Sequence, residues 1–287
     1  MAYPLEHHDV YVNDPMLGSV RLHVVQAGPT DGPLLMLLHG FPEFWYGWHR
    51  QIGPLADAGY RVWVPDGRGY NRSDKPAGIE PYRIDQLAAD VLGLLEAAGR
   101  QRAVVVGHDW GAAVAWWLAL TRPDRIERLV VLNVPHPYVF GRFASTRPAQ
   151  MLRSWYIAFF QLPRLPEWLL ERGRCRPLVQ LLRWSSRPGT FARTDLTAYQ
   201  QAWSGSLRSM IGWYRAAVQR PPTRPASGRI RVPTLLIWGA RDAFLLRDMA
   251  QPSIDYCEQG RLVWLETATH WVQHEEPDRV TALILAG

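Results

Sequence analysis

The sequence predicts an α/β fold, with a mostly parallel central sheet flanked by helices and interrupted by an inserted helical cap. In the first half of the chain, short apolar runs typical of strands alternate with stretches of helical spacing. That alternation stops at about residue 138, and helical segments punctuated by proline continue to about residue 225. It then resumes. We therefore expect a sheet domain built from 1–137 and 226–287, with the cap at 138–225.

Hydrophobic patterning predicts the elements on the first side of the cap. Alternation of apolar and polar residues predicts two strands, 8–12 and 20–25, joined by a turn at 13–15. Runs of apolar residues, as expected where a strand is covered on both faces, predict four further strands: 33–38, 61–64, 104–106 and 128–133. Helical spacing predicts helices at 45–58 and 84–98, and another that ends at about residue 120.

The cap and the last part of the chain are predicted in the same way. In the cap, helical segments are expected at 149–160, 167–170, 177–184 and 196–218. The proline-rich stretch 219–225 is expected to lead back to the sheet. Beyond it, the pattern predicts strands at 232–237 and 262–265 and helices at 246–256 and 272–285.

The most informative stretch is 103–120, where a β-branched run ends in Gly-His-Asp-Trp-Gly and an alanine-rich helix follows. A strand, a sharp turn and a helix, with a glycine on either side of a central residue, is the arrangement of a nucleophile elbow. Side chains at the two glycine positions would collide with neighbouring backbone. The elbow is usually centred on serine, but here its central residue is Asp109.

The identity of this central residue determines the predicted chemistry. An aspartate has an ordinary pKa of about 4, so it is an anion at neutral pH and needs no base to activate it. It can displace a leaving group from a saturated carbon and form an ester with the substrate. Water must then cleave that ester. Asp109 therefore predicts cleavage of a carbon–oxygen or carbon–halogen bond through a covalent alkyl-enzyme.

Hydrolysis of such an ester requires a base that activates water and an acid that orients the base. In elbow enzymes the acid and then the histidine follow the nucleophile, each on a loop after a strand. Asp242 and His270 occupy those places. Asp248 and His274 are alternatives, but Asp248 falls inside a predicted helix. His274 lies one helical turn after His270 and is expected on the helix surface or beside the site.

Backbone N–H groups must stabilise the charge that develops on the ester's carbonyl oxygen. Trp110, which follows the nucleophile at the start of the helix, is one candidate because the helix dipole assists it. The second candidate is Phe41 in the loop after the early strand, since its neighbour Pro42 has no N–H. Glu43 and Trp45 are expected to support the nucleophile loop or to line the pocket.

Composition and charge suggest which partners to exclude. The formal charge of +6 and the pI of about 9.6 would be compatible with binding to nucleic acid or to anionic membranes. The basic residues are almost all arginine and are scattered along the chain, so we expect a solvated surface and neither partner. Cys175 and Cys257 are too few for a disulfide framework. With neither a signal pattern nor a membrane-length apolar stretch, a cytoplasmic protein is expected.

Four motifs carry a resemblance to a known family: H-G-F-P-E, D-G-R-G-Y-N-R-S-D-K-P, G-H-D-W-G-A-A-V-A-W and T-H-W. From about residue 20 to its end, the chain resembles the soluble epoxide hydrolases of bacterial type, in the α/β-hydrolase superfamily. This resemblance implies an α/β-hydrolase fold, a small apolar epoxide and water as reactants, and a vicinal diol as product. It implies neither a metal nor an organic cofactor. The second motif has no reacting group and is expected to be structural.

The resemblance also implies two catalytic tyrosines in the cap, which hold the epoxide oxygen in this family. They fall at Tyr156 and Tyr214, although Gly212 stands where the second motif usually has asparagine. Phenols have a pKa of about 10 and can donate to an alkoxide without being ionised themselves. The aromatic residues around these motifs are expected to line the substrate pocket: Trp155, Phe159, Trp213 and Trp271.

Three other functions remain as alternatives. A haloalkane or haloacid dehalogenase would use the same nucleophile, histidine and acid. The haloalkane enzymes usually have asparagine where Phe41 stands, and the haloacid enzymes usually have arginine where Trp110 stands. A hydrolase-fold protein that senses a ligand without turnover would be expected to have lost a triad member, and all three are present. The physiological substrate, the enantiopreference and the oligomeric state are not predicted from the sequence.

Overall fold

One eight-stranded sheet forms the centre of the computed structural model, which describes residues 3–223 and 225–286. The strand order is β1-β2-β4-β3-β5-β6-β7-β8. The bounds are β1 Glu6–Asp14, β2 Gly18–Ala27, β3 Leu34–Leu38, β4 Arg61–Pro65, β5 Ala103–His108, β6 Ile126–Leu132, β7 Thr234–Gly239 and β8 Gly260–Leu265. The hairpin β1–β2 and the β2–β4 pair are antiparallel, and the other pairs are parallel. This sheet confirms the predicted fold class.

Apolar cores lie on both faces of the sheet, which explains the continuous apolar run of β3. All five residues of β3 are buried. Leu34, Met36 and Leu38 pack into one core cluster, whereas Leu35 and Leu37 pack into the other. Successive side chains of a strand point to opposite faces, so a strand covered on both sides must be apolar throughout.

The helices flank the sheet and fill the region between β6 and β7. Their bounds are α1 His49–Asp57, α2 Ile84–Ala97, α3 Trp110–Thr121, α4 Pro137–Thr146, α5 Pro148–Arg153, α6 Trp155–Phe159, α7 Leu165–Ser185, α8 Arg193–Trp203, α9 Leu207–Gln219, α10 Ala250–Ile254, α11 Val272–Glu275 and α12 Pro277–Leu285. Short 3₁₀ turns occupy Trp45–Trp48, Glu80–Tyr82, Pro123–Arg125 and Arg247–Met249. Between β6 and β7, the described residues contain α4–α9 and no strand.

The cap helices differ from their predicted bounds at prolines, glycines and serines. The predicted segment 149–160 is two helices, α5 and α6, and 196–218 is likewise divided into α8 and α9 around Gly205, whose φ is +72°. Conversely, the segments predicted at 167–170 and 177–184 belong to one element, α7, which leaves helical geometry at 172–175. Helix α4 was not predicted from the sequence.

The predicted domain limits at 137 and 225 stay a prediction. The expected linker 219–225 contains Arg224, which lies outside the described residues. Among the helices that the structure describes, none combines the length and the apolar character needed to cross a membrane.

The loop after β4 is anchored by buried charges. The Arg68 guanidinium lies 2.6 Å from Asp14 Oδ2 and 2.5 Å from Asp90 Oδ1, and all three side chains are almost completely buried. In the same loop, the Asp66 carboxylate pairs with His23 at 2.7 Å and accepts a hydrogen bond from the Trp45 N–H. These contacts tie the loop to the β1–β2 hairpin and to α2, beside the sheet.

We expect Arg68→Met to destabilise the fold severely, because it leaves two carboxylates buried without their cation. Removing one partner of a buried ion pair costs about 3–5 kcal/mol. Arg83, which pairs with Asp85 at the surface, provides the matched control. Arg83→Met should cost less than about 1 kcal/mol. Urea unfolding followed by circular dichroism measures both free energies, and equal losses for the two variants would contradict this account of the loop.

Candidate active site

The turn between β5 and α3 holds Asp109 in a strained conformation. Its φ is +50° and its ψ is −122°, a region that L-residues rarely adopt. The flanking glycines make this turn possible. A Cβ on Gly107 would lie 2.5 Å from the Gly111 carbonyl oxygen, and one on Gly111 would lie 2.2 Å from the Leu38 carbonyl oxygen. Any side chain at either position would therefore displace the elbow.

The loop after β3 approaches the same carboxylate from the other side. A Cβ on Gly40 would lie 2.3 Å from the Asp109 Cβ. This close approach lets the Phe41 N–H donate to Asp109 Oδ1 at 2.6 Å. Trp110 is the first residue of α3, but within the described chain its N–H makes no hydrogen bond to the Asp109 carboxylate. One of the two predicted backbone donors therefore already contacts the carboxylate.

The end of β7 and the loop after β8 bring Asp242 and His270 together. Asp242 Oδ2 lies 2.7 Å from His270 Nδ1, while Asp242 Oδ1 accepts hydrogen bonds from the N–H groups of Phe244 and Leu245. Asn133, which the sequence analysis did not identify, donates its Nδ2–H to Asp242 Oδ2 at 2.7 Å. Its residue type and its position after β6 were the available signals. These donors orient the carboxylate toward the imidazole.

His270 lies between two carboxylates. Its Nε2 is 3.6 Å from Asp109 Oδ2, on the side opposite Asp242. Burial alone would lower the pKa of His270, but the negative charges of Asp242 and Asp109 outweigh it and raise that pKa to about 10. Burial would raise the pKa of Asp109, yet the hydrogen bond and charge of His270 hold it below its ordinary value. Asp109 is therefore an anion in the free protein.

The two alternative site residues lie elsewhere. Asp248 is exposed in the 3₁₀ turn after β7. His274 is buried, contrary to a surface position, and its Nε2 is 2.6 Å from Glu43 Oε1. Neither residue contacts the Asp109 carboxylate.

Glu43 is the centre of a buried polar network behind the site. Besides His274, it contacts His108 Nδ1 at 3.0 Å and accepts hydrogen bonds from Tyr199 and Gln273. His108 Nε2 lies 2.9 Å from the His270 carbonyl oxygen. Burial would raise the pKa of Glu43, but the neighbouring imidazoles hold it well below its usual range. The network joins the nucleophile strand, the histidine loop and helix α8 of the cap.

A cavity of about 560 Å³ lies between the sheet and the cap, and both Asp109 and His270 line it. Three of the four predicted wall residues, Trp155, Phe159 and Trp271, line it as well. Trp213 does not line it within the described chain, which corrects the prediction. Its indole N–H instead donates to the Arg68 carbonyl oxygen at 2.9 Å. Other apolar side chains complete the wall: Leu170, Leu178, Leu181, Trp184 and Phe244.

Both predicted tyrosines line this cavity. Their rings form an edge-to-face pair, with centroids 5.9 Å apart, and the Tyr214 ring also packs against Phe41 and Trp110. Burial and the nearby negative charge of Asp109 raise the pKa of Tyr156 and of Tyr214 far above the ordinary value. Both phenols therefore keep their protons and can donate them.

The glycine that replaces the usual asparagine before Tyr214 has a packing reason. A Cβ on Gly212 would lie 2.8 Å from Cδ2 of the Tyr82 ring. Tyr82 is almost completely buried and donates its hydroxyl hydrogen to the Pro76 carbonyl oxygen. In this protein, the Tyr82 ring fills the space that a side chain at position 212 would need.

Two residues of α5 attach the cap to the acid loop. The Gln150 side-chain amide donates to the Phe244 carbonyl oxygen and accepts from the Leu246 N–H. The Arg153 guanidinium donates to the Asp242 carbonyl oxygen at 2.8 Å. The backbone of Asp242 and of the residues that follow it is thus held by the cap.

Among residues 3–223 and 225–286, no group of three or more His, Cys, Asp or Glu side chains is placed to hold a metal ion. The polar groups that line the cavity are instead arranged around a carboxylate, an imidazole and two phenols. This arrangement can form a covalent bond to Asp109, donate a proton from a phenol and activate water near His270.

Comparison with known proteins assigns the fold to a class. The family model described as the alpha/beta hydrolase fold matches residues 33–277. This chain belongs to the α/β-hydrolase family.

Within that family, the chain is similar to proteins named as epoxide hydrolases. Epoxide hydrolase 4 of Mus musculus is 39% identical over 293 residues, which cover 96% of this chain and 81% of the mouse protein. The AB hydrolase superfamily protein YfhM of Bacillus subtilis is 47% identical over 269 residues, covering 93% and 94% of the two chains. These similarities confirm the predicted resemblance and the predicted class of enzyme.

A solved structure of an epoxide hydrolase is also similar to this chain. A mutant epoxide hydrolase from Bacillus megaterium, crystallised with its naphthyloxy-propanediol product, superimposes with a TM-score of 0.87. It is 29% identical, and the match covers 97% of this chain and 99% of that one.

The charge of Asp109 should be measurable at His270. In the wild-type protein, we expect the imidazole to titrate with a pKa of about 10 by NMR. Asp109→Asn removes one of the two negative charges beside it, so the pKa should fall by roughly 1 to 3 pH units. Asp248→Asn, at the exposed alternative acid, should leave it unchanged. An equal response to both substitutions would contradict the arrangement described here.

Proposed function

We propose that this protein hydrolyses apolar epoxides to vicinal diols through an ester on Asp109. The observation that carries the proposal is an elbow carboxylate that shares an apolar cavity with two buried phenols and a histidine–aspartate pair. A carboxylate can attack a saturated carbon. Paired phenols can donate a proton to the epoxide oxygen, which takes the electron pair of the broken bond but stays attached to the substrate.

The first step forms one bond and breaks another. Asp109 Oδ2, which has no backbone donor, attacks an epoxide carbon, and the carbon–oxygen bond of the ring opens. The ring oxygen takes the electron pair and receives a proton from Tyr156 or Tyr214. Asp109 Oδ1 keeps its hydrogen bond from the Phe41 N–H and becomes the carbonyl oxygen of the ester. No proton needs to leave the nucleophile.

The second step becomes possible because the first removes a charge. An ester at position 109 is neutral, so His270 keeps only Asp242 as a negative neighbour, and its pKa falls from the value of about 10 in the free protein. The proton that His270 loses returns the phenolate of the first step to a phenol, and the neutral imidazole can then take a proton from water. The hydroxide attacks the ester carbonyl, and the Phe41 N–H stabilises the resulting oxyanion. Its collapse breaks the bond between the carbonyl carbon and the alkyl oxygen, the departing alkoxide takes the proton from His270 and leaves as part of the diol, and the Asp109 carboxyl group returns its own proton to His270.

The cavity favours substrates with a bulky apolar substituent. Tryptophan, phenylalanine and leucine side chains form most of its wall, and its 560 Å³ is within the usual size of small-molecule sites. The similar Bacillus megaterium enzyme was crystallised with a naphthyloxy-propanediol product. Aryl glycidyl ethers are therefore our first choice of test substrate.

Single turnover in oxygen-18 water tests the ester directly. With enzyme in excess, the oxygen added to the first diol should come from Asp109 and carry no label, while oxygen-18 should appear in the Asp109 carboxylate. Asp109→Ala should form no ester. Oxygen-18 in the first diol would show direct attack by water and would contradict the proposed mechanism. Halide release from haloalkanes, assayed in parallel, distinguishes the dehalogenase alternative.

The two phenols should act on ring opening. Tyr156→Phe and Tyr214→Phe together should slow alkylation by about 10² to 10⁴-fold, the usual value of general acid assistance. Each single variant should lose less, because one donor remains. Tyr46→Phe is a suitable control, since its hydroxyl bonds to Asp195 away from the cavity. Stopped-flow tryptophan fluorescence measures alkylation, and a double variant with the wild-type rate would contradict the assigned role.

A further inference from the structure

The mouth of the cavity is formed by exposed apolar side chains. Leu152, Trp155 and Trp184 line the cavity, yet 75%, 64% and 72% of their surfaces are exposed. Four further large apolar side chains are exposed on the same stretch of the cap: Met151, Leu162, Leu165 and Trp168. We call these seven residues the apolar rim. Three of them lie at the cavity and the other four are close to cavity-lining residues in sequence, and such a concentration of exposed apolar side chains indicates a surface that contacts something less polar than water.

The cap that carries the apolar rim also carries the positive charge of the protein. Residues 138–225 contain fourteen arginines and no lysine against three carboxylates, a net charge of +11. Since the whole chain has +6, the remainder has −5. The basicity that looks scattered along the sequence therefore belongs to one part of the chain.

Several of these arginines are free of counter-ions. Arg147, Arg164, Arg174, Arg176 and Arg183 are exposed, and none of them forms a salt bridge within the described residues. The last four of them precede or belong to α7, the helix whose other residues line the cavity. Other arginines of the same region are paired with carboxylates, among them Arg187 and Arg215.

We propose that the apolar rim and its arginines dock on the surface of an anionic lipid bilayer, with the cavity mouth facing the membrane. Tryptophan and leucine partition into the boundary between headgroups and acyl chains, while arginine pairs with lipid phosphates above it. Apolar substrates concentrate in the bilayer, so this orientation would pass them from the membrane into the cavity without exposing them to water.

Charge distinguishes the membrane from the other candidate partner, a second copy of this chain. Two caps facing each other would bring together two surfaces of +11 each, and like charges oppose such contact. An anionic bilayer instead neutralises this charge and releases counter-ions. Each arginine that reaches the headgroups should strengthen binding roughly fivefold at physiological ionic strength.

The experiment is sedimentation of the full chain with vesicles, without substrate, so that its result does not depend on the proposed reaction. We expect binding to vesicles of 30% phosphatidylglycerol in phosphatidylcholine, loss of binding in 0.5 M salt, and none to phosphatidylcholine alone. Reversing the charge of three exposed arginines of α7, in R174E/R176E/R183E, should weaken binding at least about 100-fold. Trp184→Ser should also weaken it and reduce the blue shift of tryptophan fluorescence.

Matched variants on the sheet region provide the controls. R231E/R261E/R279E makes the same change in net charge at exposed positions outside the cap, and Leu17→Ser removes an exposed leucine from the β1–β2 hairpin. Both should retain binding. Equal losses for the two triple variants would indicate attraction by net charge alone and overturn the proposal. Absence of binding to anionic vesicles, or a dimer that Trp184→Ser dissociates, would overturn it as well.

Discussion

Close packing of three backbone segments around Asp109 is the constraint on which the site depends. The ends of β3 and β5 and the start of α3 approach so closely that glycine is required at positions 40, 107 and 111. This packing holds a non-glycine residue at positive φ, and it places the Phe41 N–H against the carboxylate. The parallel pairing of β3 with β5 supplies the rigidity that maintains such strain. Backbone geometry therefore fixes the position of Asp109, and the Phe41 N–H then holds its carboxylate.

Three buried clusters among the described residues share one arrangement, in which a single ionisable group lies between two groups of the other type. They are His270 with Asp109 and Asp242, Glu43 with His108 and His274, and Arg68 with Asp14 and Asp90. An isolated charge is costly to bury, and two partners with defined geometry offset that cost. In the proposed reaction, the first of these clusters loses one negative charge when Asp109 forms the ester, so it is the cluster expected to respond to the reaction.

The sequence was sufficient to predict the sheet, and to predict that Asp109, Asp242 and His270 lie together, because both depend on local patterns. Strand periodicity, the glycines of the elbow and the order of acid and histidine are all readable over a few residues. Asn133 and His108 were missed since their contacts join elements more than a hundred residues apart in sequence. Trp213 was misplaced for a similar reason: spacing alone does not determine which side of α9 faces the cavity. Cap helices were less predictable than strands, because prolines and glycines divide them without a regular period.

The hydrogen bonds from α5 to the acid loop restrict how the cap can move. Gln150 and Arg153 bind the backbone of Asp242 and of the residues after it, so displacing this end of the cap would also disturb the orientation of the acid. At the break in α7, four consecutive residues, 172–175, depart from helical geometry, and within the described chain they make no hydrogen bond to the acid loop. We therefore expect the cap to move more easily at this break than at α5, so that substrate could enter while Asp242 and His270 keep their relative orientation.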